Sequence, residues 1–243
     1  IRDILAPPSK PEKAEKADAV IANYYDAVLV HSDPAATRLE ASWPVSEVLA
    51  AKLRYTGYVA PPAAGPHPQQ TGTGEVLVSA GGGSVGTPLY QTALEAAKLM
   101  PETPWRLLVG GADAATRIET LSKAGSPALL EPARKDFRQM LSHAAASVSM
   151  CGYNTALDLL QAGTPAVLVP FDAGNETEQG LRAASLASLN GIEIVKTADL
   201  TPEALCAAVN SALRASKRVA GGFRFDGAAR SVEIAAELAG ERG

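Results

Sequence analysis

The sequence predicts an α/β fold with a parallel sheet and helices on both faces, and three observations support it. From Glu75 onward, short apolar segments alternate with longer amphipathic segments. The apolar segments have the length of strands, and the amphipathic ones supply the connection of about a dozen residues that a parallel crossover requires. A glycine-rich loop over 81–86 follows the first apolar segment and opens a helix. Together these features indicate a Rossmann-like domain.

The segment before residue 61 contains its own predicted elements. Helical spacing of apolar residues predicts a helix over 14–25, and a short apolar run predicts a strand over 27–31. Ser32-Asp33-Pro34 is expected to cap a following helical stretch, and 53–59 is expected to form another strand. The chain begins at Ile1 without a methionine, which we interpret as a start inside a longer protein.

Residues 61–74 are predicted to be an interdomain linker. The segment has four prolines, and glycine and threonine breakers follow near its end. Such a composition favours extended, irregular backbone over a packed core. His67 lies in this segment and is expected to be exposed.

Strands and helices are predicted to alternate after the linker. The predicted strands are 76–80, 105–109, 128–130, 147–150, 166–169 and 192–195. The helices that follow them are predicted over 88–100, 112–124, 136–143, 154–162, 176–190 and 202–215. A last helix is predicted over 225–238, because Ala228, Val232, Ala235 and Leu238 would share one face.

Composition and charge exclude some classes of function. The net charge is −4, so nucleic acid is not an expected partner, because phosphate backbones require a positive face. Basic residues do concentrate near the C-terminus. A solvated helix end and contact with an anionic membrane surface both stay open for this group, which comprises Arg214, Lys217, Arg218, Arg224 and Arg230.

The chain also lacks the sequence features of a disulfide-rich or membrane-spanning protein. Cys151 and Cys206 have no Cys-x-x-Cys spacing, which fits a reducing cytosol. The apolar run over 17–30 is interrupted by Asp18 and Asp26, so it is too short and too polar for a membrane span. No signal peptide is visible.

The most informative segment runs from Met150 to Asp158. A buried strand leads into a small-residue turn at Gly152, and a helix then begins with Asn154 and Thr155. The first backbone N–H groups of such a helix favour an anion such as a diphosphate. Asp158 lies one turn further along the same face, where its carboxylate can accept hydrogen bonds from the two hydroxyls of a ribose.

The glycine-rich loop allows several interpretations. It satisfies Gly-x-Gly-x-x-Gly, the fingerprint of dinucleotide binding. A nicotinamide enzyme would need an acidic residue at the end of the second strand, where this chain has Gly110-Gly111, so a dehydrogenase is disfavoured. Two further interpretations stay open, namely a phosphate contact through Gly82, Gly83 and Ser84 and a tight turn with only a structural role.

No metal ion and no other cofactor is expected. The sequence has no P-loop and no Asp-x-Asp of the kind that holds a catalytic cation. Glu176 and Glu178 form the nearest carboxylate pair, and both fit the first turn of a helix, where negative charge is favoured. We expect two helix N-termini, those after Gly86 and Gly152, to stabilise a leaving diphosphate.

The order of these motifs resembles the donor-binding half of GT-B glycosyltransferases. It is similar to the family 28 C-terminal domain and to the signature box of family 1 over about residues 54–240. Tyr153 and Thr155 replace the Trp and Ser of that box, and Met150 stands where family 1 has a phosphate-contacting His. The residues at the expected places are Cys151, Gly152, Asn154, Asp158, Gly163, Pro165, Glu178 and Gln179.

The resemblance implies transfer of a sugar, with inversion, from a nucleoside diphosphate sugar to an acceptor hydroxyl. Its general base would come from the N-terminal domain, of which 1–60 is a remnant. Residues 75–225 would bind the donor, and 226–243 would form a helix that crosses back to the N-terminal domain.

The resemblance also implies roles for individual residues. Arg134 lies in the loop 131–136 that would recognise the base, with uridine as the default, although no aromatic platform precedes the loop. Gly57 to Pro61 has no counterpart of the arginine that lies near the phosphates in family 28. Glu178 and Gln179 would contact the sugar hydroxyls. The diphosphate would contact Gly83, Ser84, Gly152, Asn154 and Thr155. Gly82 and Tyr153 would also belong to the donor-binding residues.

Other functions stay open at this point. A sugar-nucleotide epimerase or hydrolase could use the same fold and ligand, and a non-enzymatic donor-binding subunit could rely on a partner chain. We expect a cytoplasmic location. The acceptor is unassigned, with a lipid-linked acceptor and peripheral association with the inner membrane face both open. The chain alone is expected to be inactive, because the acceptor site and the base would lie elsewhere.

Overall fold

The structure is a computed structural model that describes residues 1–81, 84–174, 176–219 and 222–240. The chain divides into two compact units. The smaller comprises Ile1–Pro62, Ala184–Leu186 and Gly221–Gly243, and the larger comprises Ala63–Ala183 and Ala187–Ala220.

The described residues form eight strands and nine α-helices. The strands are β1 (Val28–Val30), β2 (Leu53–Tyr55), β3 (Val76–Ser79), β4 (Trp105–Val109), β5 (Leu129–Pro132), β6 (Ala146–Ser149), β7 (Ala166–Leu168) and β8 (Ile192–Ile194). The helices are α1 (Pro11–Tyr24), α2 (Glu47–Lys52), α3 (Thr87–Leu99), α4 (Ala114–Ser122), α5 (Phe137–Leu141), α6 (Tyr153–Ala162), α7 (Glu178–Leu186), α8 (Pro202–Arg214) and α9 (Gly227–Gly240).

The larger unit is built on one parallel sheet. Its strands lie in the order β5-β4-β3-β6-β7-β8, and each neighbouring pair is parallel. Helices α3 and α8 pack against each other, and α5 packs against α6. The predicted α/β fold with a parallel sheet flanked by helices is therefore confirmed.

Apolar side chains from the middle strands form the core of this unit. Val78 on β3, Leu107 on β4 and Val148 on β6 are fully buried, and α8 contributes Leu205 and Val209 to the same cluster. Strands that are covered on both faces require near-continuous apolar runs. This requirement explains why the sequence pattern predicted a parallel sheet.

A buried tyrosine links the carboxyl ends of β3 and β4. The Tyr90 hydroxyl accepts a hydrogen bond from the Ala80 N–H (3.0 Å) and donates one to the Leu108 carbonyl oxygen (2.6 Å). Burial raises the pKa of this hydroxyl, so it stays protonated and can keep both bonds. Tyr90 thereby fixes the backbone that leads into the glycine-rich loop.

Charged side chains join the outer strands near β5. Arg106 on β4 donates to Glu75 (2.7 Å from Nη2) and to Glu131 on β5 (2.9 Å from Nη1). These two carboxylates raise the pKa of the Arg106 guanidinium. Beside Glu131, β5 ends with Pro132, which pairs with Val109 at the edge of the sheet.

The smaller unit has a separate core around a parallel pair of strands. β1 pairs with β2. Val30, Leu39 and Leu49 are buried and form one apolar cluster. The rings of Tyr58 and Phe225 stack with centroids 5.7 Å apart.

The predicted helical stretch after Ser32-Asp33-Pro34 is wrong. The structure has a turn there, in which Asp33 Oδ1 accepts from the Ala35 N–H (2.9 Å). Asp33 Oδ2 accepts from the Arg224 N–H (2.9 Å), so this carboxylate ties distant segments together. Asp side chains that bond the backbone two residues on favour such turns over helices. The next helix, α2, begins only after Ser46, whose hydroxyl caps it.

The expectation that His67 is exposed is also wrong, since its exposed fraction is 3%. Nδ1 accepts from the N–H groups of Gln69 (3.1 Å) and Thr71 (3.3 Å), and Nε2 lies 3.0 Å from Asp136 Oδ2. The His67 N–H donates to His143 Nε2 (3.0 Å). The backbone of the segment 61–74 bends around the His67 imidazole. The resulting hydrogen bonds satisfy backbone N–H groups that the composition of the segment predicted to face water.

This cluster predicts a pH-dependent contribution to stability. Hydrogen bonds from Arg134 and His67 hold the pKa of Asp136 well below its usual value, so the unfolded chain binds more protons than the folded one in the acid range. The contribution is therefore present at neutral pH and lost as the pH falls below about 4. We expect Asp136→Asn to lower the free energy of unfolding at pH 7 by about 1 to 2 kcal/mol, and to flatten its decline between about pH 5 and 2.

Urea denaturation at a series of pH values measures both effects. Asp199→Asn, at an exposed position of the larger unit, is the matched control and should keep the wild-type slope. An Asp136→Asn variant with the wild-type acid dependence would contradict the assignment.

Candidate functional site

The strand order of the larger unit reverses between β3 and β6. From β3 the chain proceeds to β4 and β5 on one side, and from β6 it proceeds to β7 and β8 on the other. Ligands of open parallel sheets bind outside the carboxyl ends of the strands at this point. Ser79 at the end of β3 lies in register with Ser149 at the end of β6, so the two following loops begin side by side.

A crevice of about 350 Å³ opens at this edge of the sheet. Its described lining comes from the ends of β3, β4 and β5 and from the first turns of α5 and α6. The lining includes Gly81, Gly110, Gly111, Arg134, Phe137, Asn154, Thr155 and Asp158. Four of the predicted site residues therefore meet here, namely Arg134, Asn154, Thr155 and Asp158.

Helix α6 presents its N-terminus to this edge of the sheet. The helix begins at Tyr153, and Gly152 is its N-cap residue, with no side chain to bond the first turn. The leading N–H groups of an α-helix have no acceptor within the helix and carry a partial positive charge. Asn154 is exposed and Thr155 half-buried, so this turn is suited to an anion.

Asp158 lies one turn after Thr155 and forms an ion pair with Arg138 of α5. Arg138 Nε donates to Asp158 Oδ1 (2.8 Å), and Nη2 donates to Gln161 Oε1 (2.6 Å). Burial raises the pKa of Asp158, and the neighbouring Arg138 charge opposes that rise. The Asp158 carboxylate thus lines the crevice, and the bond from Arg138 to its Oδ1 atom fixes its orientation.

Arg134 is held by two carboxylates. Nε and Nη2 donate to the two oxygens of Asp136 (2.8 and 2.6 Å), and Nη1 lies 3.6 Å from Glu131 Oε2. These carboxylates raise the pKa of the guanidinium. Such a bidentate arrangement orients the guanidinium plane at the wall of the crevice.

Glu178 and Gln179 lie elsewhere, in the first turn of α7. Gln179 Oε1 accepts from the Phe171 N–H (3.2 Å), and Glu178 Oε1 accepts from Arg182 Nη2 (2.7 Å). Neither belongs to the described lining of the crevice. The structure therefore brings Asp158 together with the α6 turn but holds the two predicted sugar contacts on the first turn of α7.

The glycine-rich loop is described only in part. Gly82 and Gly83 lie outside the described residues, and Ser84 begins a short 3₁₀ helix, Ser84–Gly86. A Cβ on Gly86 would lie 2.2 Å from the Ala80 Cβ, so close packing of helix on strand requires glycine there. At least this glycine has a structural role, which was one of the interpretations left open.

Sequence reasoning missed Arg138, Phe137 and the pair Gly110-Gly111 as residues of the site. Phe137 and Arg138 lie in the first turn of α5, and their relation to the crevice depends on the packing of α5 against α6. In the sequence, Gly110 and Gly111 served only as evidence that the acidic residue of a nicotinamide enzyme is missing at that place. Their position directly after a predicted strand was the available signal, since the ends of parallel strands converge.

The fold and the match to a family model define this part of the chain as the C-terminal domain of a GT-B glycosyltransferase. More particularly, the chain belongs to glycosyltransferase family 28, because the model of the family 28 C-terminal domain matches residues 77–222. The family resemblance inferred from the sequence is thereby confirmed.

Individual relatives agree with this assignment. The UDP-N-acetylglucosamine--N-acetylmuramyl-(pentapeptide) pyrophosphoryl-undecaprenol N-acetylglucosamine transferase of Brucella anthropi is 33% identical over 144 residues, which are 57% of this chain and 38% of that protein. This chain thus spans less than half of that relative's length.

Two solved structures share the fold. MurG of Acinetobacter baumannii is similar with a TM-score of 0.55 and 18% identity, over 81% of this chain and 55% of MurG. CalG4, the calicheamicin glycosyltransferase, has a TM-score of 0.58 and 18% identity, over 97% of this chain and 61% of CalG4.

Within the described ranges, His, Cys, Asp and Glu side chains do not gather in groups of three or more that could hold a metal ion. Within the same ranges, helices long and apolar enough to cross a membrane are absent.

The Arg138 contact predicts a measurable shift at Asp158. In Arg138→Met, burial would act on the carboxylate without the opposing charge, so we expect the pKa of Asp158 to rise above its wild-type value. Carbon-13 NMR of the carboxyl group across a pH titration measures it. Arg230→Met, on α9 of the smaller unit, should leave the Asp158 titration unchanged, whereas an unchanged pKa in Arg138→Met would refute the pairing.

Proposed function

We propose that this chain is the donor-binding part of an inverting, metal-independent glycosyltransferase that uses a UDP-sugar. The observation that carries the proposal is the convergence of the α6 first turn and the Asp158 carboxylate on one crevice at the switch point of the sheet. One group suits a diphosphate and the other a ribose, and a single helix turn separates them. Membership in family 28 supports the same reaction class.

The diphosphate would lie against the first turn of α6. The N–H groups of Tyr153, Asn154 and Thr155 stand at the positive end of the helix dipole, and Gly152 offers no side chain to obstruct an approaching anion. Gly82, Gly83 and Ser84 would complete this subsite from the neighbouring loop. Preorganised dipoles of this kind stabilise the charge that develops on a leaving diphosphate.

The ribose hydroxyls would bond to Asp158. Because Arg138 engages Oδ1, its positive charge opposes the rise in the pKa of Asp158 that burial causes, and the carboxylate keeps further acceptor capacity for the sugar. A hydrogen bond to an ionised acceptor is stronger than a neutral one. Asp158 would therefore be the main polar contact of the nucleoside.

The base would lie toward Arg134 and Phe137, on the far wall of the crevice. Phe137 provides an apolar surface, and the guanidinium of Arg134, oriented by Asp136, provides a planar one. Planar guanidinium groups stack on aromatic rings. Phe137 and Arg134 thus supply flat surfaces for the base. They would replace the aromatic platform that the sequence lacks ahead of the loop 131–136.

The transferred sugar would reach Glu178 and Gln179 beyond the diphosphate. The acceptor oxygen attacks the anomeric carbon while its proton passes to a general base. The bond between the anomeric carbon and the diphosphate oxygen breaks, and nucleoside diphosphate leaves with the bonding electrons. A single displacement of this kind inverts the anomeric centre. We expect the base to belong to a part of the protein outside this chain.

The name of the Brucella relative guides the choice of substrates. It specifies UDP-N-acetylglucosamine as the donor and a pyrophosphoryl-undecaprenol-linked acceptor. We propose UDP-N-acetylglucosamine as the first donor to test and a lipid-linked acceptor, which would place the protein in the cytoplasm at the inner face of the membrane.

The donor set at the crevice supports the proposal of metal independence. Among the described residues that line it, Asp158 is the sole carboxylate, and its Oδ1 is already paired with Arg138. A divalent cation bridging two phosphates would need at least one or two carboxylates of its own. Positive charge for the diphosphate would come instead from the helix dipole.

Replacement of Asp158 tests the ribose contact. We expect Asp158→Ala to weaken binding of UDP-N-acetylglucosamine by about 1.5 to 3 kcal/mol, or about ten- to a hundredfold, because charged hydrogen bonds to ribose are lost. Isothermal titration calorimetry measures the change. Glu119→Ala, on the exposed surface of α4, serves as the control, and undiminished affinity in a folded Asp158→Ala variant would remove Asp158 from the site.

Chelation tests the absence of a metal. Donor affinity measured with EDTA should equal the affinity measured with Mg²⁺, because the described lining of the crevice offers a cation no pair of carboxylates. Calorimetry in both buffers at equal ionic strength makes the comparison. A tenfold or greater loss of affinity in EDTA would contradict the metal-independent site.

A further inference from the structure

One arginine of the larger unit is buried almost completely. Arg182 on α7 has an exposed fraction of 1%, and it is the largest fully buried side chain among the described residues. Long charged side chains are rarely buried to this extent unless they are paired. The position of this guanidinium therefore requires an explanation.

Arg182 connects the turn before α6 with the first turn of α7. Nη1 donates to the Cys151 carbonyl oxygen (3.1 Å), and Nη2 donates to Glu178 Oε1 (2.7 Å). The guanidinium carbon also lies 5.6 Å from the centre of the Tyr153 ring. Cys151 directly precedes the proposed diphosphate turn, Tyr153 belongs to that turn, and Glu178 is a proposed sugar contact. All three residues thus contact the Arg182 guanidinium.

Stability alone is a weak reason for this arrangement. Removing a guanidinium from water carries a large desolvation penalty, and a single carboxylate offsets it only in part. Well-packed apolar residues in place of a buried ion pair are often as stable or more so. The side chain of Glu178 is also 30% exposed, so part of its attraction is screened by solvent.

We propose that Arg182 is a positioning residue that holds the diphosphate turn and the sugar contact at a fixed separation. This inference rests on the proposed function. Its bond to Cys151 fixes the carbonyl that immediately precedes Gly152, and its bond to Glu178 orients a carboxylate assigned to the sugar.

The arrangement predicts which part of the donor depends on Arg182. In the proposed complex, the base contacts Arg134 and Phe137, and the ribose contacts Asp158. The bonds of Arg182 to Cys151 and Glu178 hold other parts of the site. Binding of uridine should therefore be insensitive to this residue. Binding of the diphosphate and of the sugar should depend on it together.

The experiment compares three ligands on Arg182→Met and Arg182→Lys by calorimetry. For Arg182→Met we expect uridine to bind within about twofold of wild type, while UDP loses about tenfold or more. UDP-N-acetylglucosamine should lose its affinity advantage over UDP. Arg182→Lys keeps the charge but cannot form both bonds as a fork, so it should recover part of the UDP affinity and none of the sugar advantage.

Two controls separate positioning from general damage. Glu178→Gln keeps Arg182 and its bond to Cys151, so it should reduce only the sugar advantage, and Arg230→Met should bind all three ligands as wild type does. Amide hydrogen exchange of residues 152–155 without ligand gives an independent readout, and it should speed up in Arg182→Met.

The outcomes are distinct. Wild-type protein that binds uridine and UDP equally would overturn the proposed function, whatever Arg182 does. Wild-type protein that prefers UDP, combined with a folded Arg182→Met variant of unchanged UDP affinity and unchanged exchange, would overturn the positioning role alone. Equal losses for uridine and UDP in that variant would also overturn it.

Discussion

The parallel pairing of β3 with β6 is the constraint on which the site depends. Its register, from Val76 opposite Ala146 to Ser79 opposite Ser149, makes two distant segments of the chain end at the same level. The loop that follows β3 and the turn that precedes α6 consequently begin next to each other. Tyr90 then ties the end of β3 to β4. A slip of this pairing by one residue would reverse the faces of the apolar side chains and separate the loops.

Three arginines of the larger unit, one of which lines the crevice, are engaged by protein carboxylates. Arg138 pairs with Asp158, Arg134 with Asp136, and Arg182 with Glu178. Each pair orients a group near the crevice rather than presenting an isolated charge to it. Partly buried pairs lose little to screening by salt, so the geometry of such a site is kept across solution conditions that would weaken surface ion pairs.

The fold was predictable from the sequence to a greater extent than the details of the site. Apolar runs such as that of β6 are local, and so is the turn chemistry around Gly152, because strand length and helix starts depend on neighbouring residues. The Arg138–Asp158 contact joins different helices, and the burial of His67 depends on a carboxylate far along the chain. Neither leaves a periodic signal. The roles of the predicted donor contacts stay predictions, and positions are established only for those among the described residues.

The end of β5 has a consequence for behaviour at high protein concentration. The outer edge of a sheet is a template on which another chain can add a strand, which is a common start of aggregation. At this edge, Pro132 has no N–H to donate, and the neighbouring Glu131 is charged and tied to Arg106. Both features are typical of natural edges that resist such addition. The strand beside the crevice therefore stays a terminus of the sheet, and its loop remains accessible to small ligands rather than to other chains.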